Sequence, residues 1–182
     1  MTVDEVFAEV LADRDYYGKK GGVTVSGGEP LAHPEFTRKL LYKCRNDGVG
    51  TAVETSMYRY DEDILTLCDY IMTDIKIYDS ERHKKYTGIG NEEILTNIKK
   101  ADSLGVPMIV RTPVIPGVND SADNIKQTAD YIKTLKNAVK YELLPYHPLG
   151  LSKARALGKE MTEFSSPTKE KMEELRQYAY IR

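Results

Sequence analysis

The chain has 182 residues, of which 41% are hydrophobic and 30% charged, and its formal net charge is −2. This composition is typical of a globular domain with its own core, and it gives no indication of a nucleic-acid or membrane partner. Because the first residues include several acidic ones and only two cysteines are present, we expect no signal peptide, no disulfide framework and a cytoplasmic location.

Hydrophobic periodicity predicts helices and strands in alternation along the chain. The longer helices are predicted to begin at capping or proline positions, namely Thr2, Pro34, Asn91 and Ser121. Strands are predicted at 23–25, 50–55, 70–77, 106–114 and 139–144. The remaining predictions are short helices at 64–68 and 79–86, an irregular stretch at 153–166, and a terminal helix opened by Pro167.

This alternation predicts an α/β fold with a parallel sheet and right-handed crossovers. A closed eight-stranded barrel needs about 250 residues, so about five βα units in a partial, open parallel β/α barrel fit the length better. We expect the whole chain, residues 1–182, to form a single domain. Because the pattern opens on a helix, we also expect that a first strand has been lost from the N-terminus.

Residues suited to binding or chemistry lie at the ends of the predicted strands. They are Gly27, Gly28 and Glu29; Glu54, Thr55 and Ser56; Asp74 and Lys76; Arg111; and Tyr146 and His147. The carboxyl ends of parallel strands meet at one edge, where α/β proteins bind ligands. We therefore expect a ligand site there.

The stretch from Val23 to Pro30 is the strongest of these signals. Its two adjacent glycines let the backbone approach a ligand closely, Glu29 offers an anion to a ligand ammonium, and Pro30 ends the strand. A tight turn with a helix-capping Glu29 is the simpler alternative.

The other residues have structural interpretations too. Glu54 and Asp74 could balance Lys76 and Arg111 in an ion network, and His147 could be an ordinary loop histidine. Three further expectations need no ligand: Cys44 and Cys68 are buried thiols, His33 and His83 are solvated, and the prolines after the fourth strand redirect the chain.

Taken together, the motifs resemble the radical S-adenosylmethionine (SAM) activating enzymes of glycyl-radical enzymes, the group that contains pyruvate formate-lyase activating enzyme. The matching segments are Ser26-Gly27-Gly28-Glu29-Pro30, Glu54-Thr55-Ser56, Asp74-Ile75-Lys76, Tyr86-Thr87-Gly88, Val114 to Asp120, and Leu143-Leu144-Pro145-Tyr146-His147. The similarity covers nearly the whole chain.

The resemblance implies a role for each candidate residue. The SAM amino group would be held by Gly27, Gly28 and Glu29. Lys76 and Arg111 would lie near the SAM carboxylate and neighbouring oxygens, and His147 against the adenine. Thr55 would contact SAM beside Glu54 and Asp74, which would line the rim around a monovalent cation.

Two departures from the family pattern stand out. The family usually has Asp-Thr, a small residue and Gly, where this chain has Glu54-Thr55-Ser56-Met57, which puts the cation site in doubt. The family also carries Cys-x3-Cys-x2-Cys for a [4Fe-4S] cluster, and neither Cys44 nor Cys68 can replace it. We therefore expect no iron ligands here and an N-terminally truncated chain.

The function implied by the resemblance is that of a radical SAM oxidoreductase. With its [4Fe-4S] cluster and SAM, the full-length parent would generate a glycyl radical on a partner such as pyruvate formate-lyase or a relative. A flavodoxin or ferredoxin would donate electrons, and the chemistry implies an anaerobic habitat. The 182 residues alone are expected to be inactive. The alternatives are a non-catalytic SAM-binding module without a cluster, and a Schiff-base lyase using Lys76.

Overall fold

A computed structural model describes residues 1–19, 21–148, 158 and 163–181. Five strands are present in this part of the chain: β1 Gly22–Val25, β2 Gly50–Thr55, β3 Tyr70–Asp74, β4 Met108–Val114 and β5 Ala138–Pro145. The α-helices are α1 Val3–Ala12, α2 Arg14–Tyr17, α3 Pro34–Asn46, α4 Glu62–Leu65, α5 Ser80–Thr87, α6 Glu92–Asp102, α7 Ala122–Lys133 and α8 Lys169–Arg176. A 3₁₀ turn covers Pro30–Ala32.

The strands form one parallel sheet in the order β1-β2-β3-β4-β5, which confirms the predicted α/β class. Gly22 pairs with Gly50 where β1 meets β2. A Cβ built on Gly22 would lie 2.0 Å from the Gly50 carbonyl oxygen, so this pairing tolerates no side chain at position 22. On β2 the side chains alternate between buried and half-buried, as expected when one face of a sheet is covered by helices.

The chain divides into two compact units. The first contains residues 1–74, 92–109 and 135–139, and the second contains residues 75–91, 110–134 and 140–182. In the first unit, Val10, Leu40, Cys44 and Val49 form a buried cluster, and the apolar side chains of α1 and β1 pack against it. In the second unit, α7 buries Ile125, Ala129 and Ile132.

The sequence signals for helix starts are largely confirmed. The predicted capping box is present at α1, where the Thr2 hydroxyl accepts from the Glu5 amide and the Glu5 carboxylate accepts from the Thr2 amide. Pro34 is the first residue of α3, and the Ser121 side chain accepts from the Asn124 amide at the start of α7. These local contacts satisfy amide groups that a helix leaves unpaired at its first turn.

Other boundaries differ from the prediction. The third strand ends at Asp74 and not at residue 77, and Cys68 lies after α4. The expectation that His83 is solvated was wrong, because its side chain is 3% exposed. Its Nδ1 lies 2.8 Å from the Ile89 carbonyl oxygen and 3.0 Å from the Thr87 hydroxyl, so α5 buries a satisfied histidine.

Most of the stretch at 153–166, predicted to be irregular, lies outside the described residues; residues 163–166 have no regular structure. The terminal helix begins after the Thr168 cap. Within the part of the chain that the structure describes, no helix is both long and apolar enough to cross a membrane.

Candidate functional site

Glu29 occupies the turn between β1 and the 3₁₀ turn, and four donors of the first unit converge on its carboxylate. Oε1 accepts from the Thr55 hydroxyl at 2.6 Å and from the Leu31 amide at 3.2 Å. Oε2 accepts from the Ser56 amide at 2.9 Å and from the Ser56 hydroxyl at 2.5 Å. We call Glu29, Leu31, Thr55 and Ser56 the glutamate cradle. It joins the end of β1 to the end of β2.

The cradle favours the ionised form of its carboxyl group. Burial acts to raise the pKa of Glu29, but the hydrogen bonds from Ser56, Thr55 and Leu31 outweigh it, and the net pKa lies below the ordinary value of 4.5. Donated hydrogen bonds stabilise a carboxylate and not the neutral acid. Glu29 therefore carries a fixed negative charge at neutral pH.

The glycines before Glu29 leave room beside this charge. Gly27 has φ +118°, a backbone conformation that residues with a Cβ rarely adopt. At Gly28 no unusual φ is present, and a built Cβ would meet no heavy atom within 4 Å. The described protein therefore gives no internal reason for glycine at position 28, and the open space is compatible with a ligand that approaches the backbone.

Met57 follows the cradle and is the non-glycine residue with positive φ in the described chain, at +56°. A left-handed conformation costs an ordinary residue about 1–2 kcal/mol. The Met57 side chain is fully buried, and its carbonyl oxygen accepts from the Asn97 amide at 3.0 Å. Packing and this hydrogen bond therefore hold a conformation that glycine would adopt freely.

Glu54 and Asp74 lie on neighbouring strands of the first unit. Glu54 is paired with Met72 in the parallel ladder, and Asp74 follows Met72 by two residues, so the two carboxylates occupy the same face of the sheet. Both are half-buried, and each takes part in an interaction within the protein. No cluster of three or more His, Cys, Asp or Glu side chains with metal-site geometry occurs among the described residues.

The remaining predicted site residues belong to the second unit. Lys76 is exposed and lies two residues beyond the end of β3. Arg111 is half-buried on β4, and its carbonyl oxygen accepts from the Ile75 amide at 2.9 Å. His147 is exposed, and the preceding Tyr146 donates its amide to Val114 and makes an edge-on ring contact with Phe164.

The structure thus brings Glu29 and Thr55 into direct contact and places Gly27 and Gly28 in the same turn. Sequence reasoning did not assign Ser56 its part as a double donor to Glu29. A hydroxyl residue directly after a strand-end threonine is the signal that could have suggested it. The capping interpretation of Glu29 is also correct in part, because its carboxylate accepts from the Leu31 amide at the 3₁₀ turn.

Both cysteines are buried free thiols, as predicted. Burial raises the pKa of the Cys44 thiol, and it raises that of Cys68 to about 12. The Cys68 thiol points to the Ile64 carbonyl oxygen at 3.5 Å. Both thiols are therefore held in the neutral form, whereas thiolates are the form that binds metal.

Comparison with known proteins identifies the family of this chain. Residues 1–137 match the family model described as "Radical SAM superfamily". The chain belongs to the radical SAM superfamily and, within it, to the activating enzymes of glycyl-radical enzymes.

Three relatives illustrate the relationship. The isethionate sulfite-lyase activating enzyme of Nitratidesulfovibrio vulgaris is 44% identical over 87% of this chain and 53% of its own length. The (2S)-3-sulfopropanediol dehydratase activating enzyme of Klebsiella oxytoca is 43% identical, over 87% and 52%. The pyruvate formate-lyase-activating enzyme of Clostridium pasteurianum is 36% identical, over 98% and 77%. The chain spans about half the length of the first two relatives.

Solved structures confirm the predicted fold type. A domain of a pyruvate-formate lyase-activating enzyme from Bacteroides vulgatus superposes with a TM-score of 0.72 at 31% identity, over 87% of this chain and 92% of that domain. Streptococcus suis SuiB gives a TM-score of 0.74 at 12% identity, over 98% of this chain and 39% of that protein. The second likeness concerns the fold alone.

Proposed function

We propose that this chain is the SAM-binding part of a radical SAM activating enzyme that generates a glycyl radical on a partner enzyme. The observation that carries the proposal is the glutamate cradle, which keeps an anion ionised beside an open glycine turn. SAM would be bound by its amino group at this point, with Gly27, Gly28, Glu29 and Thr55 as the contacting residues.

The cradle fits an ammonium group chemically. An ionised carboxylate has about four lone-pair positions, and all four face protein donors. Ser56 supplies both donors to Oε2, so its hydroxyl can turn away while its amide keeps the carboxylate in place. We infer that the SAM ammonium replaces the Ser56 hydroxyl at Oε2, exchanging a neutral donor for a charged one.

The residues present do not fit the [4Fe-4S] cluster of the family. The 182 residues contain two cysteines, both buried, and three thiolates are needed to hold such a cluster with SAM on its fourth iron. Cluster binding and electron transfer, with a flavodoxin or ferredoxin as donor, are proposed to take place in the full-length enzyme in an anaerobic cytoplasm.

The remaining assignments depend on the sequence resemblance. Lys76 and Arg111 are proposed to neutralise the SAM carboxylate and neighbouring oxygens, and exposed His147 is proposed to stack on adenine. Glu54 and Asp74 are proposed to hold a monovalent cation from their shared face of the sheet. The partner is proposed to be pyruvate formate-lyase or another glycyl-radical enzyme, since the relatives above are named for a sulfite-lyase, a dehydratase and pyruvate formate-lyase.

Calorimetric titration of the 182-residue chain with SAM tests the central claim. Binding by the unaltered chain should fall by about a hundredfold in Glu29→Gln, because the exchange removes the charge that holds the ammonium. Glu93→Gln, the same change at an exposed position of α6, is the matched control and should bind SAM normally. Equal SAM affinity in all three proteins, or no binding to the unaltered chain, would refute the assignment.

A second experiment addresses the catalytic part. After treatment with iron, sulfide and dithionite, the 182 residues should release no 5′-deoxyadenosine from SAM, because three accessible thiolates are lacking. Chromatography of the reaction mixture measures the product. Its formation at a rate above the cluster-free control would contradict the proposal.

A further inference from the structure

Three buried asparagines hold the segment from Lys76 to Tyr78, and the motif from Val114 to Asp120 supplies one of them. Asn119 is 1% exposed, Asn91 is 3% exposed and Asn124 is 7% exposed. All belong to the second unit. Asn91 was predicted only as a helix start, and no individual role was predicted for Asn119 or Asn124.

The hydrogen bonds pair all three carbonyl oxygens of the segment and the amide of Tyr78. The Asn119 side-chain amide donates to the Lys76 carbonyl oxygen at 2.7 Å. The Asn91 side-chain amide donates to the carbonyl oxygens of Ile77 and Tyr78 at 2.9 and 2.7 Å. The backbone amide of Tyr78 donates to Asn124 Oδ1 at 2.9 Å. We call these three asparagines and residues 76–78 the asparagine clamp.

Asn119 also closes the loop that carries it. Its side-chain amide donates to the Pro113 carbonyl oxygen at 2.7 Å, and its Oδ1 accepts from the Ile115 backbone amide at 2.7 Å. The backbone carbonyl oxygen of Asn119 accepts from the Asn124 side-chain amide at 3.1 Å. The Asn119 side chain thus ties the end of β4 to the backbone of Lys76.

This arrangement suits a segment that must present a lysine after its strand has ended. β3 ends at Asp74, the Ile75 amide still donates to the Arg111 carbonyl oxygen of β4, and Lys76, the next residue, is exposed. Buried amide-to-carbonyl bonds are strong when fully satisfied, so the clamp fixes the position of the Lys76 Cα while its charged end stays in solvent.

We propose that Asn119 is a positioning residue for Lys76, and that it sets the affinity of the site for the carboxylate end of SAM. The inference rests on the proposed function. It predicts that Asn119 matters to SAM only through Lys76, which a double-mutant cycle can measure.

The test compares SAM affinity in Asn119→Asp, Lys76→Ala and the double variant. Asn119→Asp keeps the shape but replaces both amide donors by an acceptor that faces two carbonyl oxygens. We expect it to weaken SAM binding about tenfold in the unaltered background and less than twofold in the Lys76→Ala background. Asn119→Ser, which retains one hydroxyl donor, should have an intermediate effect and serves if Asn119→Asp does not fold.

Asn137→Asp is the matched control for destabilisation. Asn137 donates to the Asp102 carbonyl oxygen at 2.6 Å in the first unit, ahead of β5, so it makes the same kind of bond away from the clamp. This variant should keep its SAM affinity within about twofold. Hydrogen exchange at the Tyr78 amide should accelerate in Asn119→Asp and not in Asn137→Asp.

Each outcome decides the question. If folded Asn119 variants bind SAM as the unaltered chain does, or lose affinity equally with and without Lys76, the positioning role is refuted and the proposed function stands. If the unaltered chain does not bind SAM, the proposed function is refuted and this inference with it.

Discussion

The glutamate cradle and the asparagine clamp both fix backbone just beyond a strand, yet they use opposite chemistry. In the cradle, donors from the end of β2, from Ser56 directly after it and from the 3₁₀ turn surround one anion. In the clamp, neutral amides surround carbonyl oxygens and leave the lysine charge outside. The charge of a carboxylate changes with pH and can bind a ligand cation, whereas a network of neutral amides only fixes the positions of backbone atoms. Glu29 is therefore proposed to bind the ligand, and the asparagines of the clamp are proposed to position Lys76.

Glu29→Gln should have the largest effect on stability. The NH₂ group of glutamine would face groups that are themselves hydrogen-bond donors, so a donor of Ser56 or Thr55 would lose its acceptor in a half-buried site. We expect a loss of about 3 kcal/mol in the free energy of unfolding, measured by urea titration. A loss no greater than that of Glu93→Gln would show that the cradle contributes nothing to folding.

Met57→Gly separates backbone strain from packing beside the cradle. Glycine relieves the positive φ, worth about 1–2 kcal/mol, but it removes a fully buried side chain worth about 2–5 kcal/mol. The net expectation is a destabilisation of about 2 kcal/mol in urea titration. A more stable variant would mean that the strain of Met57 exceeds the value of its burial.

Acid should affect the cradle and not the clamp. The pKa of folded Glu29 is below 4.5, so its contribution to stability is complete above that pH and is lost as the pH falls through the folded value. The stability difference between the unaltered chain and Glu29→Gln should therefore shrink as the pH is lowered towards pH 3. The difference from Asn119→Ser should stay constant over the same range, and parallel acid dependence in both would contradict the distinction.

Ser56→Ala should have the smallest effect. The Ser56 amide still donates to Oε2 in this variant, so stability should fall by about 0.5–1 kcal/mol. SAM affinity should be unchanged or up to about threefold higher, because the ammonium no longer displaces a hydroxyl. A loss of SAM affinity as large as that of Glu29→Gln would show that the hydroxyl itself contacts the ligand.

The sequence predicted regular elements better than the contacts between them. The strand predicted at residues 50–55 coincides with Gly50–Thr55, where buried and half-buried side chains alternate with a period of two. The end of β3 was overestimated since Ile75 and Ile77 continue the alternation although Asp74 is the last strand residue. The turn at Pro30–Ala32 and the short α2 were not predicted, because their few residues give no periodic signal.

In the candidate site, too, the residues of a local motif were predictable and the contacts between distant segments were not. Glu29 and Thr55 were identified because their motif is local, and the structure joins them at 2.6 Å. The partners of Asn119 lie up to 43 residues away in sequence, and no spacing rule links an asparagine in one loop to a carbonyl group in another. His83 was misjudged for a related reason, since its burial depends on how the segment to Ile89 folds back over α5.

The low reactivity expected of the Cys44 and Cys68 thiols has a practical consequence. Both are buried and have raised pKa values, so maleimide reagents should leave the folded chain unlabelled. A single cysteine introduced at an exposed position such as Tyr86 would then accept a fluorophore or spin label selectively. The second unit could in this way be observed in solution without first removing any native cysteine.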